Sequence, residues 1–322
     1  MNKSAPDFCF IPETMGNHRR DEGMCYRMMA GGRMLKTSVN VEHVEDPGLF
    51  AETLKLVKGA GFEAVDAGLF SKELIRIMEG PSARSYAREI RMIVEDSGLE
   101  IGQCHMPLCD TPDDWPYVIE ATKAALPFAA AIGAKYPVIH PIRPMDLDDP
   151  RYGKSFPEMK ALNEEMFRIL MPIAQDNGLT VLIENLFVHG RHKDAFPCYT
   201  SHAEELNELM DAFPGMGICL DNGHIVITGQ EASDLAYGLG PRVKALHLHG
   251  NDRRGDLHLP PFANVDLKWA EFCAALKAIG YSGTINLEVL GFIYQAPKKL
   301  WPATYSYLHA CAEYLAEMVE NA

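Results

Sequence analysis

The stretch CLDNGH (219–224), followed by VKALHLHGNDRRGDLH (243–258), decides how the chain reads. In each piece an apolar, β-rich run ends in a carboxylate or an imidazole, Asp221 in the first and His247 in the second. Glycine, asparagine or a charged turn follows at once. The apolar core of a strand has no use for Asp or His at its last residue, so something polar waits at the strand ends. Asp and His on adjacent strands are the usual ligands of a borderline or hard divalent metal.

Working outward, the same punctuation recurs. MLKTSVNV (34–41) reads as a strand, and 47–61 as an amphipathic helix closed by Gly61. The next strand is 62–68, with a helix from Ala83 to Asp96. Further strands end at His105, His140, Glu184, Asp221, His247 and Glu288. Helices are expected at 115–131, 157–177, 203–212, 232–239, 267–279 and 303–319. Alternating β and α implies a parallel sheet. Eight such units without a composition break imply an α/β fold, a single (β/α)8 barrel over residues 34–322. The competing doubly wound sheet wants a Gly-rich phosphate loop after an early strand, and neither GxGxxG nor GxxxxGK[ST] occurs. Residues 1–33 show no sustained periodicity and read as an N-terminal arm, packed on the barrel or on a neighbouring subunit, or partly disordered.

Composition narrows the function. A 322-residue chain with 47% hydrophobic and 23% charged residues is an ordinary globular one. Its net charge of −14 argues against a nucleic-acid partner, which would be gripped by clustered Lys and Arg. No apolar run approaches the ~20 residues of a membrane span, and the N-terminus lacks a secretory signal. The eight cysteines are scattered without a CxxC pair. They point to a reducing, cytoplasmic compartment without structural disulfides.

In a barrel of this kind the active site lies at the C-terminal ends of the strands. There the third to eighth strands place His105, His140, Glu184, Asp221, His247 and Glu288. The following loops add His224, His249, Asp252, Asp256 and His258. A single strand-end histidine is usually a rim residue, and Asp221 alone would serve as a turn or helix cap for the following Asn222-Gly223-His224. Glu184 and Glu288 are different, because a carboxylate after VLI or INL is costly to bury uncompensated. With Asp221 and His247 between them they make a mixed oxygen and nitrogen shell for a divalent metal. His247 and His249 share a face by alternation; His247 is taken as the ligand. Physically, an ion bridging a carbonyl and its neighbouring hydroxyl acidifies the C–H between them, and two glutamates can remove and return that proton.

These pieces resemble the xylose isomerase-like barrel superfamily. The matching segments are CHMP around His105, IHP around His140, LIEN around Glu184, GICLDNGH, KALHLHGND, DLHLPP and LE at Glu288. The resemblance spans roughly residues 35–320 and is specific for superfamily, not substrate. It implies a metal-dependent sugar isomerase or epimerase, with Glu184, Asp221, His247 and Glu288 holding Mn (or Mg, Co or Zn). Glu184 and Glu288 would be the acid–base pair acting through an enediolate, with His140 beside them. His105, His140, His224, His249, Asp256 and His258 would bind a small carbohydrate. Two other branches remain open. One is a lyase on a keto-sugar or inosose, including C-glycoside cleavage alongside a second subunit. The other is the endonuclease IV type, whose nine ligands for three zinc ions all have counterparts here: His105, His140, Glu184, Asp221, His224, His247, Asp256, His258 and Glu288. A homo-oligomer is expected, or a hetero-oligomer in the lyase case.

Overall fold

The computed structural model describes residues 35–108, 114–143, 156–189, 195–263 and 267–322. The N-terminal arm, Cys9, Cys25, Cys109 and Arg191 lie outside the described residues. Eight parallel strands build the sheet: β1 (Thr37–Val41), β2 (Ala64–Gly68), β3 (Glu100–His105), β4 (Tyr136–Ile139), β5 (Leu182–Glu184), β8 (Gly217–Asp221), β9 (Val243–His247) and β10 (Ile285–Leu287). Their order is β10-β1-β2-β3-β4-β5-β8-β9. The two ends of that order meet at one parallel bridge, Leu248 with Leu287. Leu248 N donates to Asn286 O and Glu288 N to Leu248 O, each at 3.0 Å. The result is a nearly closed (β/α)8 barrel.

Helices fill the connections: α1 (Pro47–Ala60), α2 (Lys72–Glu79), α3 (Ala83–Ser97), α4 (Trp115–Ile132), α5 (Phe156–Asp176), α6 (Ala203–Ala212), α7 (Asn222–Ile227), α8 (Ala232–Leu239), α9 (Trp269–Ala278), α10 (Leu290–Gln295) and α11 (Trp301–Asn321). Local chemistry explains their ends. Asp46 caps α1 by accepting from Gly48 N and Leu49 N, both at 3.0 Å. Pro47 opens the helix with φ already set. Gly61 closes it at φ 115, in the left-handed region. Between them Phe50, Thr53, Leu54 and Val57 form the stripe buried on the sheet.

The strands obey period two, and this is what places the site. Ile183, Ile218, Leu220, Leu246 and Leu287 belong to the large core between sheet and helices. Val138, Leu182, Cys219 and Ala245 form a separate small cluster inside the barrel. Each of these interior residues lies two positions before a polar one: His140, Glu184, Asp221 and His247. Along β4, β5, β8 and β9 the barrel interior therefore passes from an apolar layer to a polar layer within one pleat.

Several elements depart from the sequence reading. Helices α2, α7 and α10 and a two-stranded antiparallel hairpin, β6 (Phe187–His189) with β7 (Ala195–Pro197), appear where no element was expected. Among the described residues no helix is long and apolar enough to cross a membrane.

Candidate active site

Glu184 ends β5, Asp221 ends β8, His247 ends β9, and Glu288 follows β10 by one residue. One ligand atom from each lies within 4.8 Å of the others. His247 Nδ1 stands 3.0 Å from Glu184 Oε2 and 3.6 Å from Glu288 Oε2. Asp221 and His247 are fully buried. Both Glu184 oxygens, Asp221 Oδ2, His247 Nδ1 and Glu288 Oε2 are buried without a hydrogen-bond partner among the described residues. Leaving so many acceptors unsatisfied in one place is expensive. A cation of suitable size satisfies all of them at once, so the donor set fits a divalent metal.

The orientation of Asp221 is fixed by its own helix. Its Oδ1 accepts from His224 N at 2.7 Å and caps α7, which leaves Oδ2 turned to the cluster. Its backbone is clamped as well, since Asn185 donates to Asp221 O and accepts from Asp221 N, both at 2.9 Å.

On one side of this set, His140 Nε2 lies 3.2 Å from Glu184 Oε2. His105 Nε2 lies 3.3 Å from Glu288 Oε1. The rings of His105 and His247 are stacked, 4.3 Å apart and 11° from parallel. Beneath both sits Asp66 of β2, fully buried, a residue the sequence reading passed over. Its Oδ2 is 3.1 Å from His247 Nε2 and 3.3 Å from His105 Nδ1. The available signal was the one applied to Glu184: a carboxylate flanked by Val65 and Ala67 in an apolar strand. It was missed because only the last residue of each strand was weighed.

On the other side, His224 Nε2 is 3.4 Å from Asp256 Oδ2, and His258 Nε2 is 3.1 Å from the same oxygen. His249 Nε2 reaches Asp221 Oδ1 at 3.3 Å, and its ring stacks on His258 at 4.3 Å. His249 is admitted only because residue 223 is glycine. A Cβ there would come within 1.9 Å of the His249 ring. The loop carrying Asp256 and His258 is closed at its base by Gly250 N to Leu259 O, 2.7 Å, and Leu259 N to Gly250 O, 2.9 Å. His258 takes a left-handed φ of 45 to present its ring, a conformation disfavoured by about 1–2 kcal/mol. Asp252, in contrast, makes a turn by accepting from Arg254 N and Gly255 N. Arg253 pairs with Glu231.

Among the described residues, five groups have ligand spacing, each sharing a residue with another: Asp66, His105 and His247; His105, His140 and Glu184; Glu184, Asp221, His247 and Glu288; His249, His258 and Glu288; and His224, Asp256 and His258. Burial alone would raise the carboxylates. The His247 and His140 imidazoles outweigh it and hold Glu184 well below the usual range. His224 and His249 likewise bring Asp221 down to about 2. Burial would lower the imidazoles, yet Asp221 and Asp256 lift His224 well above its ordinary value. Glu288 and Asp256 bring His258 up to about 10. His140 is the exception, pushed down by burial that Glu184 only partly offsets. Protons on imidazoles therefore occupy, in the metal-free protein, the place a cation would take.

A family profile described as "Xylose isomerase-like TIM barrel" matches residues 54–311. An uncharacterized protein of Sinorhizobium fredii, y4fM, is 27% identical over 207 residues. That match covers 63% of this chain and 62% of y4fM. Among solved structures, a D-tagatose 3-epimerase-like protein superposes with a TM-score of 0.64 at 18% identity, covering 89% of this chain and 99% of that one. A D-psicose 3-epimerase solved with D-tagatose, from Clostridium cellulolyticum H10, gives a TM-score of 0.66 at 15% identity, over 88% and 99% of the two chains. At these identities the superpositions speak for the fold.

Proposed function

The chain belongs to the xylose isomerase-like TIM barrel family, and on that premise we propose that it is a divalent-metal-dependent sugar isomerase or epimerase. The observation that carries the reading is the convergence of Glu184, Asp221, His247 and Glu288, with ligand-type atoms buried and without a hydrogen-bond partner among the described residues. These four would hold the ion, Mn first, with Mg, Co and Zn compatible with the same oxygen and nitrogen donors. When bound, the ion would polarise a carbonyl and its neighbouring hydroxyl and so acidify the C–H between them.

Everything else is the work of side chains. Glu184 on β5 and Glu288 after β10 approach from opposite ends of one arc of the barrel, so one, ionised, takes up the carbon-bound proton and the other, protonated, delivers its own proton to the other face of the resulting enediolate. His140, held neutral by burial, hydrogen-bonds Glu184 or a substrate hydroxyl. His105, His224, His249, Asp256 and His258 line the remaining wall and orient hydroxyls. The carbohydrate reading of the substrate draws support from the sugar named with the Clostridium epimerase. The test is wash-in of solvent deuterium. The metal-loaded protein is incubated in D2O with a panel of ketoses, aldoses and keto-glycosides. Deuterium should enter next to the carbonyl of at least one, and Glu184→Gln or Glu288→Gln should slow it by roughly a hundred- to ten-thousand-fold. Exchange that survives both substitutions contradicts the assignment. A lyase would begin with the same deprotonation, and product analysis separates elimination from epimerisation.

A second reading, a three-zinc nuclease of the endonuclease IV type, is favoured by the run of linked ligand groups, which includes all nine residues expected of that branch. The net charge of −14 opposes it, since phosphate backbones are held by cationic surfaces. Two to three zinc ions per chain, with cleavage of abasic DNA, would favour it over the sugar enzyme.

A further inference from the structure

Four nitrogen atoms converge on one oxygen, Asp66 Oδ2: His247 Nε2 at 3.1 Å, His105 Nδ1 at 3.3 Å, Gln103 Nε2 at 3.1 Å and Asn286 Nδ2 at 3.3 Å. They come from β9, β3 and β10, so a single carboxylate on β2 gathers side chains from across the barrel interior. Asp66 is fully buried, and its described ion-pair partners are the two imidazoles alone. An ionised carboxylate only accepts hydrogen bonds. Each ring nitrogen facing it must therefore carry its hydrogen. The amide of Gln103 fits the same logic, because its Nε2 also lies 3.4 Å from Leu246 O, which can only accept.

This fixes what the other edge of each ring presents. With Nε2–H committed to Asp66, His247 offers Nδ1 to Glu184 and Glu288. That is the atom left without a hydrogen-bond partner among the described residues. His105, with Nδ1–H committed, offers Nε2. One acceptor oriented towards both rings also explains why they lie parallel, 11° apart. We infer that Asp66 is the positioning residue of this centre: it sets the tautomer and plane of His247 and His105 so that Nδ1 of His247 is the nitrogen that meets the metal. The inference rests on the metal-site reading above and adds to it a residue outside the ligand set. Carboxylates hydrogen-bonded behind ligating histidines typically account for 10–100-fold in metal affinity.

The test uses the full-length protein and zinc, a diamagnetic probe. In long-range 1H–15N spectra of the zinc-loaded wild type, His247 should be protonated at Nε2 and metal-shifted at Nδ1. Asp66→Leu keeps roughly the volume but removes the acceptor, so nothing holds the proton on Nε2 of His247 or on Nδ1 of His105. Chelator competition should then show zinc held 10–100-fold more weakly, with the wild-type tautomer signature lost. Two results overturn the inference: zinc bound through Nε2 of His247 in the wild type, or zinc affinity of the variant within about twofold of the wild type. If Asp66→Leu does not fold, the wild-type spectrum decides alone. A wild type that takes up no zinc or other divalent ion refutes the metal-site reading and this inference with it. Tight binding that is indifferent to Asp66 refutes only the latter.

Discussion

Glu184 and Asp66 are buried carboxylates answered, among the described residues, by imidazoles and never by lysine or arginine. Arginine would neutralise them permanently, whereas an imidazole can give up its proton when a cation arrives. The pH dependence follows residue by residue. Burial, then the Glu288 and Asp256 carboxylates that outweigh it, set His258 at about 10 in the fold, against 6.5 for an ordinary imidazole. Its stabilising contribution is complete below pH 6.5 and is lost as pH rises through about 10. Asp221, at about 2 against 3.8, contributes fully above pH 3.8 and loses its contribution as pH falls towards 2. The metal-free protein should therefore be most stable between roughly pH 4 and 6.5 and lose stability towards pH 10, as read by melting temperature in chelator-treated samples. A melting temperature that climbs steadily from pH 7 to 10 without metal would show the imidazoles are not charged in the fold. Of the residues that make this site, those at strand ends were legible from sequence, because an Asp, Glu or His closing an apolar run breaks the pattern. Asp66 sits inside its strand between Val65 and Ala67, so its break in the apolar pattern is legible but carries no mark of a strand end.

At the scale of elements, one pleat of β4, β5, β8 and β9 separates the apolar interior layer from the polar mouth, so those strands deliver His140, Glu184, Asp221 and His247 to one level. Asp221 is the clearest case, ending β8, capping α7 and turning Oδ2 to the cluster. The two duties can be separated. Asp221→Asn retains an oxygen for the cap and should keep the wild-type fold while losing most of its metal affinity. Asp221→Ala loses both and should cost about 1 kcal/mol more stability than Asn in chelator-treated protein. Equal stability of the two variants would deny the capping role. The long elements were readable because they carry strong signals: the Asp46 cap, Pro47 and Gly61 around α1, and apolar runs for the strands. The short ones were not. Helix α7 is buried along its whole length and so has no amphipathic stripe. The three-residue strands β6 and β7 are too brief to show alternation, and α2, though amphipathic and capped by Ser71, spans only eight residues.

For the whole molecule, the barrel is joined least extensively where β9 meets β10, through the Leu248–Leu287 bridge and two hydrogen bonds. The proposed ligands come from β5, β8, β9 and β10, the arc that includes this seam. An ion bound there ties the closing strands together, and at a free concentration a hundred times its dissociation constant it stabilises the fold by about 2.7 kcal/mol. Hydrogen exchange should report this locally, with the amides of Leu248 and Glu288 slowed more by metal than those of β1 and β2. Uniform slowing around the barrel would mean that the ion does not bridge the seam.

The most direct test of the central claim, that these carboxylates and imidazoles hold a divalent ion, is metal content by elemental analysis. It is made on protein purified without added metal or chelator, beside Glu184→Gln. Near one equivalent of Mn, Mg, Co or Zn per chain, lost in the variant, is the result the account predicts. No metal in the wild type, and none taken up on titration, would contradict it.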